Sequence, residues 1–177
     1  MTFKRWLPTF LAFPLGGFLA VETVGSLHDP ASAAAGGLLA GAVIGAGQWL
    51  ALRSGGIGSR WIGYTAAAMA AGSALAATVT GAGTEVADVM LAGLVTGAAV
   101  GAAQSTLLAP GLRTAAAWTG VSAAAWSLGW LATSQVIVDI ERGYHVFGSS
   151  GAAIVTVLTG LALRALVTAP RGVTLAA

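Results

Sequence analysis

Two glutamines are the most discriminating polar residues in this 177-residue chain. Gln48 and Gln104 each close a ridge of glycines, Gly37-x-x-x-Gly41-x-x-x-Gly45-x-x-Gln48 and Gly93-x-x-x-Gly97-x-x-x-Gly101-x-x-Gln104, and the two ridges are 56 positions apart. Residues four apart lie one turn up the same helix face, so each ridge is a single stripe. A carboxamide offers two N–H donors and a carbonyl acceptor. On an apolar helix it either bonds to a neighbouring helix or forms a polar constriction that selects a small solute. Tyr64, Thr65, Ser105 and Ser122 are the partners expected for the first use. The glycines admit close backbone approach, so they read as a helix-packing seam; the alternative is that the stripes line a narrow axial path.

The remaining chemistry is sparse. The chain has no cysteine, which excludes thiol nucleophiles, thiolate metal sites and disulfides. No Asp, Glu, Lys or His falls near the middle of an apolar segment, where proton relays, ion-coupled carriers and intramembrane catalysts place them. Asp29, Glu85 and Glu141 recur at 56-residue intervals just before apolar segments and read as helix N-caps. His28, Asp29, Asp139, Glu141 and His145 lack the helical spacing of a metal site. Gly55-Gly56-x-Gly58 lacks the strand and the Lys-Ser/Thr pair of a phosphate loop. No catalytic residue, metal or cofactor is expected.

The elements that carry these residues are apolar. The chain is 56% hydrophobic, contains 26 glycines and is only 8% charged, against roughly 25% charge in a soluble domain. Six apolar segments run over about 6–24, 31–52, 61–80, 86–108, 114–138 and 146–167, and about 20 residues of helix cross a bilayer core. Lys4, Arg5, Arg53, Arg60, Arg113, Arg164 and Arg171 fall on one side of these six spans. Glu22, Asp29, Glu85, Asp88, Asp139 and Glu141 fall on the other, with Arg142 the basic exception. Positive charge marks the cytoplasmic side, so a multi-pass protein of the cell membrane with both termini cytoplasmic is expected. The same asymmetry accounts for the cations without nucleic acid. Ala31-Ser32-Ala33 imitates a signal cleavage site, but the first segment matches later ones and is expected to stay.

Arg5-Trp6 recurs as Arg60-Trp61, and a glycine follows eleven residues after each of Trp6, Trp61 and Trp118, at Gly17, Gly72 and Gly129. A further shift of 56 carries the glycine stripe onto Ser149, Ala153, Val157 and Gly160, a diverged copy without the glutamine. Three tandem helical hairpins, over about 5–54, 60–110 and 113–168, follow. Each contains two spans, so the copies insert in the same sense. The expected fold is all-α, a six-helix bundle of three parallel hairpin repeats with pseudo-threefold symmetry, forming one transmembrane domain over 1–177. Trp6, Trp61 and Trp118 read as interfacial anchors, and Trp126 with Trp130 as a deeper aromatic face for packing, lipid or an apolar ligand.

The segments Gly41 to Gln48-Trp49-Leu-x-Leu-Arg53 and Gly97 to Gln104 resemble a group of uncharacterised bacterial multi-span proteins with repeated glycine-glutamine-tryptophan hairpins. The resemblance covers nearly the whole chain and transfers no activity; Ser105 stands where the first copy has Trp49. Six spans in so short a chain also resemble the substrate-binding subunits of energy-coupling-factor vitamin transporters, which are not three copies of a hairpin. Two functions are compatible with the residues. One is a non-enzymatic structural or accessory component that packs with lipid, with itself or with another membrane protein. The other is a channel or carrier for a small neutral or apolar solute.

Overall fold

A computed structural model describes residues 3–108, 111–136 and 148–168. Asp139, Glu141, Arg142, His145 and Arg171 lie outside the described residues. The described chain is six helices with no strand. The first, α1 (Phe3–Val24), is composite: an α-turn over Phe3–Trp6, a 3-10 stretch over Leu7–Leu11 entered through Pro8, and an α-helix over Ala12–Val24. Then follow α2 (Pro30–Leu52), α3 (Arg60–Thr80), α4 (Val86–Ser105), α5 (Leu112–Val136) and α6 (Ser149–Thr168).

Five of these, all except α5, are long and apolar enough to cross a membrane, one fewer than the six spans expected. Length is not the reason, because α5 has 25 residues, about 37 Å of helix. Its composition is: three tryptophans and Ser122, Ser127, Thr133 and Ser134 dilute the aliphatic residues. Most of those polar groups are turned inward, with Trp118, Ser122 and Thr133 all buried.

Helix starts show what was and was not readable as caps. Asp29 accepts from the backbone N–H groups of Ala31 at 2.8 Å and Ser32 at 3.0 Å, and the Ser32 hydroxyl answers to Asp29, completing a capping box. Glu85 occupies the same position before α4 but makes no side-chain cap bond. Its extra methylene removes the short reach that favours Asp, Asn, Ser and Thr at this position. Asp88 instead places an acid in the first turn of α4, where it faces the positive helix end.

Each helix packs on the next in sequence, and α6 packs back on α1, so the six close into a ring. One apolar cluster contains Trp6, Leu52, Trp61, Leu107, Trp118 and Leu163. These residues come from the starts of α1, α3 and α5 and the ends of α2, α4 and α6, so all six helices alternate in direction and meet at one end. Lys4, Arg5, Arg53, Arg60, Arg113 and Arg164 belong to that end by position, and the described acids Glu22, Asp29, Glu85 and Asp88 to the other. A second cluster, with Phe13, Ile44, Met69, Val100, Trp126 and Val155, fills the middle.

Candidate functional site

The six stripe glycines are points of close approach between helices. A Cβ added at Gly37 would lie 2.6 Å from the Met69 carbonyl oxygen, at Gly41 2.8 Å from Ala66 Cα, and at Gly45 3.0 Å from Thr65 Cβ. In α4 a Cβ at Gly93 would lie 2.6 Å from Trp130 Cδ1, at Gly97 2.7 Å from the Ser122 carbonyl oxygen, and at Gly101 2.8 Å from Thr119 Cα. Thus the stripe of α2 is pressed on α3, and that of α4 on α5. Side chains cannot occupy that space without moving backbone.

At the end of both stripes the glutamines meet. Gln104 Nε2 donates to Gln48 Oε1 at 2.9 Å and to Thr65 Oγ1 at 2.9 Å, while the Thr65 hydroxyl donates to the Trp61 carbonyl at 2.8 Å. Trp61 Nε1 donates to Gln48 Oε1 at 3.0 Å, and Trp118 Nε1 to Gln104 Oε1 at 3.2 Å. Gln48, Gln104 and Thr65 are buried, Gln104 at 1% exposure. Of the expected amide partners, Thr65 takes the role, whereas no bond joins either amide to Tyr64, Ser105 or Ser122 among the described residues.

The tryptophans correct a sequence expectation. Trp6, Trp61 and Trp118 are 0%, 0% and 1% exposed, so they do not lie among lipid headgroups. An indole has one donor, and each of these finds an acceptor inside the bundle. For Trp6 it is the Thr156 carbonyl at 3.0 Å and the Thr159 hydroxyl at 3.2 Å. An aromatic residue at a span end satisfies an interfacial belt and an inward anchor equally well, so type and position alone could not separate the two.

Thr159 also corrects the register assigned to α6. Ser149, Ala153 and Val157 are exposed, while Gly151, Ala152, Val155, Thr156 and Thr159 are buried. These match the buried Thr96, Gly97, Val100, Gly101 and Gln104 of α4 at a shift of 55 (104 to 159), one less than expected. Gly160 does border the contact with α1, since a Cβ there would lie 2.6 Å from Trp6 Cδ1. The doubled small residues Gly151 and Ala152 were the available signal.

Beyond the glutamines, towards the acidic end, lies an apolar cavity of about 120 Å³ whose lining includes Phe13, Ile44, Met69, Ser73, Trp126 and Trp130. Trp126 and Trp130 therefore face the interior, not lipid; the Trp126 ring is tilted 56° to Phe13 with centroids 5.7 Å apart. Of the stripe glycines only Gly37 touches this cavity. No group of three or more metal-ligating side chains occurs among the described residues. The Asp29 carboxyl is held below its usual range, mainly by the Ser32 backbone N–H, then by the Ser32 hydroxyl and the Ala31 N–H.

No family model, no curated protein and no solved structure matches the chain.

Proposed function

We propose that this chain is a non-enzymatic structural or accessory component of the cell membrane, built as three tandem hairpins around a pseudo-threefold axis with both termini cytoplasmic. The observation that carries the reading is the double bond-making of Gln104, whose amide joins α2 and α3 to α4. The polar groups of the seams are thereby spent on holding helices together. Support for the symmetry comes from three indoles donating to three comparable positions, Gln48, Gln104 and Thr159. Close approach also recurs between α2 and α3, α4 and α5, and α6 and α1. Support for the orientation comes from the six described cations at one end.

Two measurements test it. Native mass spectrometry and cross-linking in mild detergent are expected to find a protein partner or a second copy, and a strictly solitary monomer counts against the reading. Liposomes containing the chain are expected to pass neither glycerol nor urea.

The cavity favours a second reading, a carrier for a small neutral or apolar solute. Its 120 Å³ is close to the roughly 150 Å³ apolar void that accommodates benzene. Flux that is abolished by Gln48→Leu or Gln104→Leu would replace the first reading with this one.

A further inference from the structure

Where α1 and α2 run side by side, their basic ends flank an open groove of about 790 Å³. Its mouth carries Lys4, Arg5 and Arg53, all exposed. Arg5 Nη1 donates to Ser54 Oγ at 2.7 Å, tying the start of α1 to the turn after α2. The Arg53 guanidinium stands 5.7 Å from the centroid of the Trp49 ring, within cation–π range. Two of the three cations thus make side-chain contacts of their own. The walls are aliphatic: Leu11, Leu15 and Leu50 are 58%, 53% and 55% exposed, and Val43 lines the groove with them. Thr9 also lines the groove, and its buried hydroxyl has no hydrogen-bond partner among the described residues.

The charge is concentrated here. Among the described residues, α3 and α4 bring only Arg60 to this end, and α5 and α6 bring Arg113 and Arg164. No described Asp or Glu lies at this end to neutralise the three at α1 and α2. Cations above an aliphatic trough are complementary to one membrane component, a phosphate-bearing anionic lipid, whose headgroup is held at the surface and whose chain replaces water-free contacts along the helix.

We propose that the groove between α1 and α2 binds an anionic phospholipid, with its phosphate at Lys4, Arg5 and Arg53 and an acyl chain along Leu11, Leu15 and Val43. The proposal rests on the reading that the chain spans a membrane, and that reading fails separately: protein that does not float with vesicles in a density gradient refutes the membrane, not merely the lipid.

The test is native mass spectrometry of the full chain in detergent, titrated with phosphatidylglycerol or phosphatidylcholine of identical chains. Phosphatidylglycerol is expected to be retained preferentially. Each of Arg5→Gln and Arg53→Gln, both at exposed positions, weakens its retention about fivefold. Arg113→Gln leaves it unchanged. Equal retention of the two lipids, or an equal loss with Arg113→Gln, overturns the proposal. Displacement by soluble glycerophosphate at the same concentration also overturns it, because the site would then be a phosphate pocket with no role for the trough.

Discussion

Gln104 Nε2 and Gln48 Oε1 lie 2.9 Å apart although 56 positions separate them in the chain. The same Gln48 oxygen accepts the Trp61 indole, and the same Gln104 nitrogen reaches Thr65. One acceptor therefore serves two donors, and one donor group serves two acceptors. The consequence is a network in which no member can be removed without stranding another.

Replacing Gln104 by Leu removes three bonds, to Gln48, Thr65 and Trp118. At about 0.6 kcal/mol per interhelical bond in a membrane, the loss is about 2 kcal/mol. Gln48→Leu leaves the Trp61 and Gln104 donors without their common acceptor and costs a similar amount. Because the two side chains bond each other, the double variant loses less than the sum by roughly 0.5–1 kcal/mol. Unfolding in detergent measures all three; full additivity contradicts the network.

Seam glycines of α2 and α4 and outward glycines of their packing partners α3 and α5 behave oppositely. Gly41→Ala and Gly97→Ala drive a methyl to within 2.8 Å of Ala66 Cα and 2.7 Å of the Ser122 oxygen, costing roughly 1–3 kcal/mol of overpacking. Gly63→Ala and Gly120→Ala meet nothing within 4 Å, and gain roughly 0.5–1 kcal/mol from the loss of backbone freedom in the unfolded chain. Thermal midpoints in one detergent compare the four.

The one-residue change of register in α6 makes a sharp contrast between neighbours. Ala152 is 0% exposed and Ala153 is exposed. Ala152→Leu is expected to destabilise by roughly 1–3 kcal/mol, and Ala153→Leu to be close to neutral. The reverse order would restore the shift of 56.

Much of this was legible in the residues. The glycine ridges end on Gln48 and Gln104 at helical spacing, and that periodicity fixes which residues share a face. Direction and neighbour are another matter: nothing in Gly37-x-x-x-Gly41 says that the ridge meets α3 and not the bundle axis. The inward turn of Trp61 was hidden because its acceptor, Gln48, lies on a different helix. The register of α6 was hidden because Thr159, not an amide, takes the position of the glutamine. Asp29 and Glu85 looked alike as caps until side-chain length separated them.

Asp29 gives the pH dependence. Its carboxyl sits below the ordinary value of 3.8 because the ionised form accepts bonds from Ser32 and Ala31. The cap is therefore fully present above pH 3.8 and is lost as the pH falls through the lower folded value. The Ser32 amide resonance in an NMR titration is expected to move with a midpoint below 3.8. A midpoint at or above it contradicts the capping box, and Asp29→Asn, which keeps an acceptor without the charge, is expected to show no transition.

The crossing of α5, the one helix below the apolarity of the others, decides whether six spans alternate through lipid. The chain has no cysteine, so a single introduced thiol reports its own side of the membrane. In intact cells an impermeant maleimide is expected to label Ser26→Cys, Thr84→Cys and Ser149→Cys, and to reach Ser54→Cys and Thr114→Cys only after permeabilisation. Labelling of Thr114→Cys and Ser149→Cys from the same side would remove α5 as a crossing, and with it the three parallel hairpins.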